Sequence, residues 1–228
     1  MRQPTAAVAV AVVCVLVTAC ATTKGNAEAP TSTPTLIPRP LVERDLTPLL
    51  LSPDQVNVAM GTTGMAVTSS QTSMSDNSAT MAPPECLAID GAAEAPVYAD
   101  SGYAAERDQS LNNGDSFTHY LKQAVVVFPN VEQAAAFFEA SAQKWQACRE
   151  YTHLQSESQW SVGQISNANR TLSTIATEQN ASAPGWGCGR ALALRNNVII
   201  DINTCSADPA DSAPRIADRI GANVAARW

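Results

Sequence analysis

The sequence predicts an α+β fold: one domain, an antiparallel sheet with helices packed on it, two disulfides and a possible cleft. Three observations lead to this. Hydrophobic periodicities follow one another in the order helix, strands, helix, strands, helix, and meandering strands covered by helices belong to this class. Two pairs of strand-like runs are joined by asparagine-rich turns, at Asn112-Asn113-Gly114-Asp115 and at Asn196-Asn197, where residues that tolerate positive φ are needed. Four cysteines, Cys86, Cys148, Cys188 and Cys205, lie within the folding region, and an even number in an exported chain implies disulfides.

Export is read from the amino terminus. Arg2 supplies a short positive region, and residues 6–17 are an apolar run of Ala, Val and Leu broken by Cys14. About a dozen residues suit a signal peptide and fall short of the roughly 20 that a spanning helix needs. The run ends in Val17-Thr18-Ala19-Cys20. That pattern resembles the bacterial lipobox, in which the cysteine thiol takes a diacylglycerol and the chain is cut just before it. Residues 1–19 are therefore expected to be a lipoprotein signal peptide and Cys20 the lipidated residue. A diacyl group supplies the two chains that stable anchoring requires. Cys14 leaves with the signal peptide.

Removing residues 1–19 takes away one base, Arg2, and no acid, so the net charge moves from −7 to −8. Net charge of that sign argues against binding nucleic acid or anionic lipid. Residues 20–44 hold the anchor and a Pro/Thr/Ala-rich run with too little apolar mass to fold, which is expected to be a tether. The globular part is assigned to 45–228, with its first residues near Leu41.

Within it, Ser52-Pro53-Asp54-Gln55 is a helix start, with Ser as N-cap and Pro at the first helical position. Val56, Ala59 and Met60 form its apolar side and Gly61 ends it. Residues 62–82 alternate only around Met65-Ala66-Val67-Thr68, leaving strand and loop both open. Residues 102–112 and 117–128 form a hairpin whose second strand ends in Ala124-Val125-Val126-Val127-Phe128, apolar on both sides and so central in the sheet. Asn130 opens the next helix with Gln133 in the capping-box place, and Ala134, Phe138, Ala142 and Trp145 recur at helical spacing up to Cys148. The last helix starts near Asp211-Ser212-Ala213-Pro214 and presents Ile216, Ile220 and Val224; Trp228 is expected to close the core.

The hairpin over 187–204 has the sharpest geometry. A two-residue turn pairs Arg195 with Val198, and the same register sets Cys188 opposite Cys205. Alternation of pair types makes this a non-hydrogen-bonded pair, with Cα atoms about 4.5 Å apart, within disulfide range. Cys188–Cys205 is thus expected, and Cys86–Cys148 follows by elimination. Ala191, Ala193, Val198, Ile200 and Ile202 line one face of the hairpin, and Leu192, Leu194 and Ile199 the other. A metal site is not expected: no CxxC pair is present, and His119 and His153 are not spaced with the cysteines.

Four segments now carry a resemblance: Leu49 to Asn57, Gln123 to Pro129, Phe137-Phe138 through Trp145-Gln146-Ala147-Cys148, and Cys188-Gly189-Arg190-Ala191-Leu192 through Arg195-Asn196-Asn197-Val198-Ile199. Together with the four cysteines they resemble the PknH-like extracellular sensor domain, found on a mycobacterial serine/threonine kinase and on mycobacterial lipoproteins with no kinase attached. The resemblance covers roughly 45–228. It implies a single α+β domain with two disulfides and a cleft for an unidentified ligand, and no catalytic motif.

The residues agree with a non-catalytic reading. No GxSxG elbow, HExxH or phosphate-binding glycine loop occurs. His119 lies in a strand, sharing a face with Phe117 and Leu121, and is expected to be a packed histidine. A ligand cleft needs convergent polar groups on an aromatic lining; Arg107, Gln109, Tyr120, Trp160, Trp186 and Arg190 are the candidates, although for any one of them alone the ordinary reading, Arg on a solvated strand or Trp in the core, weighs more. The function expected is an envelope lipoprotein that binds a small molecule or cell-wall fragment as an extracytoplasmic sensor module, without cofactor or metal. The alternative is a lipoprotein that docks a membrane protein partner, and a third reading is a cryptic hydrolase. A histidine bonded to both a serine and a carboxylate would favour the third.

Overall fold

The computed structural model describes residues 39–227. The signal segment, Cys20, the tether up to residue 38 and Trp228 lie outside the described residues. The described helices of four or more residues are α1 (Pro53–Met60), α2 (Leu87–Asp90), α3 (Ala95–Tyr98), α4 (Val131–Trp145) and α5 (Ser212–Ala225). The strands are β1 (Ala66–Gln71), β2 (Met81–Ala82), β3 (Ala105–Asn112), β4 (His119–Val127), β5 (Glu150–His153), β6 (Gln159–Val162), β7 (Ser166–Ala168), β8 (Thr171–Glu178), β9 (Gly187–Arg195) and β10 (Val198–Ser206). Among the described residues they form one sheet in the order β1-β3-β4-β10-β9-β8-β6-β5-β2, with β7 on β8. Every named strand pair is antiparallel.

Local chemistry sets the helix ends. The Ser52 hydroxyl accepts from Gln55 N, the Gln55 side chain accepts from Ser52 N, and Gly61 closes α1 at φ 66°. The Asn130 side chain accepts from Gln133 N at 2.8 Å and starts α4. The β9–β10 hairpin has the expected register: Val198 faces Arg195, and Cys205 faces Cys188 with Cα atoms 4.1 Å apart. Both disulfides form, Cys188–Cys205 and Cys86–Cys148. The open segment after α1 resolves as strand β1.

Period-two alternation divides the sheet into two buried faces. One carries Val125, Val127, Ala191, Ala193, Val198, Ile200 and Ile202 and is covered by α1, α5 and the segment from Leu41. The other carries Val126, Leu172, Leu192, Leu194 and Ile199 and packs against Phe138 and Trp145 of α4 and against Leu87, Ile89 and Tyr98. The centre of the sheet therefore has no solvent side.

Two buried amides fasten the amino-terminal segment to it. Gln123 accepts from Leu51 N and donates to Leu51 O, both at 2.9 Å. Asn197 accepts from Leu41 N at 2.8 Å and donates to Leu41 O and Phe128 O. Leu41 is 1% exposed, so packing starts inside the stretch assigned to the tether, ahead of residue 45. A second difference is β5 to β8, which the sequence left unassigned. Gln159-Trp160-Ser161-Val162 and Thr171 to Glu178 present Ser, Thr and Ala where apolar residues were sought. They are strands because β9 lends β8 a paired edge, and β8 in turn lends one to β6. Phe117, expected on the His119 side, instead packs with Tyr120 and Trp186.

β3 also places Glu106 and Asp108 on the α4 side of the sheet, each 1% exposed. Neither carboxyl has a hydrogen-bond partner among the described residues. Burial, and then the neighbouring Asp108, push the Glu106 carboxyl up to about 7. The folded chain thus holds a proton that the unfolded chain releases near the ordinary value of 4.5. Stability should fall as pH rises from about 4.5 to 7 and level off above, by about 3 kcal/mol for this group. Glu106→Gln should flatten that slope in denaturant titrations run across the same pH range; an unchanged slope would assign it to other groups.

Candidate functional site

The side of the sheet covered by α4 is not covered along its whole length. Strand pairing lines up Ser110, Lys122, Asn203, Arg190 and Thr174 in one row across five strands, on that side. The next row sets Tyr120 beside the Cys188–Cys205 disulfide. Where α4 and α2 end, these polar rows form the floor of a cleft of about 320 Å³.

The first wall is 90–94, held from below by Asp201. Asp201 Oδ2 accepts from Ala93 N and from the Tyr98 hydroxyl, both at 2.9 Å. Its Oδ1 lies 2.8 Å from Arg190 Nη1, an ion pair too oblique for an aligned hydrogen bond. Arg190 also donates to Ala88 O and Ile202 O and lies over the Trp145 ring, 5.4 Å from its centroid. Asn203 donates to Asp90 O at 2.9 Å and fixes the near end of the same wall.

The second wall contains Ser75 and Asn77, fastened by two buried charges. Lys122 Nζ donates to Ser75 Oγ at 2.9 Å and lies 3.9 Å from Asp108. The Glu94 carboxylate accepts from Asn77 N (2.9 Å) and Asn77 Nδ2 (2.7 Å), while burial raises its pKa. Gly91 makes room for it: a Cβ there would stand 2.7 Å from Glu94 Oε1.

His153 and Trp160 close the third side. His153 Nε2 lies 2.6 Å from Asp90 Oδ1, and this contact raises the imidazole pKa. Its Nδ1 lies 3.4 Å from Ser158 Oγ. The connectivity is that of a serine–histidine–carboxylate chain, the arrangement named above as favouring a hydrolase. Its geometry argues otherwise. The Ser158 hydroxyl is occupied by Trp160 Nε1 (3.1 Å) and Ser156 Oγ (3.0 Å), and it does not line the cleft. A nucleophile must face the bound substrate. The chain instead holds the His153 ring in place at the cleft edge. Among the described residues, no group of three or more His, Cys, Asp or Glu side chains is placed to hold a metal ion.

Of the six residues nominated from sequence, Tyr120 and Trp160 line the cleft. Arg190 lies beneath its wall, 1% exposed, as a structural cation. Trp186 is half-buried against Phe117, outside the lining. Arg107 and Gln109 share a strand face as expected, but it is the opposite face of the sheet: Arg107 pairs with Glu43 at 2.7 Å, and Gln109 accepts from Gln123. His119 is half-buried and also faces away from the cleft, within 3.3 Å of Thr62 Oγ1. Sequence reasoning missed Lys122, Asn203, Asp90, Glu94 and His153 as one group. Lys122 was within reach, two residues along the strand from Tyr120 and so on its face. The wall residues were not, because they sit at element ends and in a loop that tertiary packing positions.

Known proteins share this architecture. A family model described as the PknH-like extracellular domain matches residues 41–223. The serine/threonine-protein kinase PknH of Mycobacterium bovis is 34% identical over 188 residues, covering 80% of this chain and 31% of the kinase. PknH of Mycobacterium tuberculosis is also 34% identical over 188 residues, covering 80% of this chain and 30% of the kinase. This chain therefore spans under a third of the length of these relatives. The crystal structure of the extracellular domain of PknH from Mycobacterium tuberculosis superposes with a TM-score of 0.77 at 33% identity, covering 82% of this chain and 98% of that one. On sequence and architecture together, the chain belongs to the PknH-like extracellular domain family.

Proposed function

We propose that this chain is a lipid-anchored, extracytoplasmic sensor module that binds a small molecule or cell-wall fragment without catalysis. The observation that carries the reading is the cleft: about 320 Å³, floored by Lys122, Asn203 and Tyr120 and walled by groups already fixed by hydrogen bonds. Pre-positioned polar groups in a concavity suit ligand recognition. They suit it better than the flat apolar patch that the alternative, docking of a membrane protein partner, would use. Extracytoplasmic placement is supported by the family's extracellular description and by the two disulfides. The anchor is supported by Val17-Thr18-Ala19-Cys20, and no described helix is long and apolar enough to cross a membrane.

Three measurements test these parts separately. Mass spectrometry of the wild-type chain should show a peptide that starts at residue 20 and carries the diacylglyceryl mass, and Cys20→Ala should lose both the lipid and the cut before residue 20; a wild-type peptide without lipid would refute the anchor. Native mass spectrometry of protein taken from its own envelope should show a retained small molecule that Lys122→Met loses, with the circular dichroism unchanged. Retention at the wild-type level would move the ligand out of the cleft. A fluorophosphonate probe should leave Ser158 unlabelled, whereas labelling that Asp90→Asn abolishes would establish a hydrolase.

A further inference from the structure

We infer that the cleft is built for a neutral, hydroxyl-rich ring, a saccharide unit, with Glu94 and Asn203 setting the specificity. This rests on the cleft being the ligand site, as proposed above.

Charge pairing gives the first argument. Each charged side chain that faces the cavity already has a partner. Lys122 has Ser75 Oγ at 2.9 Å and Asp108 at 3.9 Å, Asp90 has His153 at 2.6 Å, and Glu94 has two N–H groups of Asn77. An incoming ion would lose its hydration and meet charged groups whose hydrogen-bonding positions are already partly taken. Sign decides further. Asp90 and Glu94 flank the cavity, and Asp108 lies beside Lys122, so an anion meets three carboxylates. An ammonium group meets Lys122 on the floor.

Hydrogen-bonding capacity gives the second. The lining combines acceptors on Asp90 and Glu94 in the walls with donors on Lys122 and Asn203 in the floor. A ligand matched to this pattern needs groups that donate and accept from one atom, and the hydroxyl does so. Planar carboxylate and carboxamide groups can each bridge two neighbouring hydroxyls of a ring. An acyl chain would bury these polar groups without satisfying them.

Shape gives the third. Trp160 stacks on Tyr151 with the rings 2° from parallel and their centroids 5.9 Å apart, which fixes a rigid aromatic edge on one side. Tyr120 stands on the floor, its hydroxyl tied to Ser110. Aromatic carbon there can meet the C–H surface of a ring. A volume near 320 Å³ lies at the small end of ligand pockets, which run from about 300 to 1,000 Å³, and leaves room for one or two sugar rings.

Glu94 owes its position to the missing side chain at Gly91. Gly91→Ala should push the carboxylate out of place while sparing the backbone, because the clash falls on the tip of a flexible side chain. The test is an NMR titration of the whole purified chain, ¹⁵N-labelled, with a panel of neutral mono- and disaccharides, glucose 6-phosphate, spermidine and palmitate. The expected result is a saturable shift of the Asn77, Ala92 and Glu94 amides with a neutral saccharide, weakened at least fivefold in Gly91→Ala and in Asn203→Ala. A shift of the same amides by phosphate, polyamine or fatty acid, with none by a neutral saccharide, overturns the saccharide assignment and leaves the cleft standing as a ligand site. Saccharide shifts confined to other amides overturn it as well, as does silence from every neutral saccharide. A native ligand that survives Lys122→Met would instead sink the cleft reading itself.

Discussion

The cleft depends on one buried carboxylate. Asp201 sits mid-strand in β10, 2% exposed, where a bare charge would be untenable. Three groups make it tolerable: the Arg190 guanidinium, the Tyr98 hydroxyl and the Ala93 amide. Ala93 belongs to the cleft wall, and Tyr98 to the helix α3 that follows it. The need to neutralise Asp201 therefore acts as a positional constraint, drawing 93–98 onto the sheet. Arg190 extends the same constraint to α2 through Ala88 O and to α4 through Trp145. Ion pairs of this kind add little net stability compared with apolar packing, but removing one partner strands the other charge. Their effect here is to select one arrangement of the wall.

Much of the architecture was legible because it follows from short-range rules. The β9–β10 register came from two asparagines and a count, and it set Cys188 against Cys205. Helix starts at Ser52 and Asn130 followed from side chains that cap their own backbone. The strands from 150 to 178 were hidden because Thr, Ser and Ala there carry no periodic apolar signal. They exist through pairing: β8 with β9, β6 and β7 with β8, and β5 with β6.

The site was less legible for a related reason. Alternation showed that Arg107 and Gln109 share a face, but not which face of the sheet would be the open one. That choice rests on the helices. α5 and the segment from Leu41 close one side, while α4 leaves part of the other open. Arg190 was singled out for its place beside Cys188, and the structure makes it a support for the cleft in place of a lining residue. Asp90 ends helix α2, Glu94 follows in a loop and His153 ends strand β5 far along the chain, and only tertiary packing brings them together.

The disulfide in the cleft floor ties shape to maturation. Cys188 and Cys205 border the cavity and are 9% and 8% exposed. The covalent bond joins neighbouring strands at the point where Tyr120 and Asn203 meet the void. A freshly made chain with free thiols has this surface unfinished, and oxidation completes it. The step that seals the floor thus belongs to the same oxidising environment in which such bonds persist, so that the binding surface is finished only after the chain has left the reducing compartment where it was made.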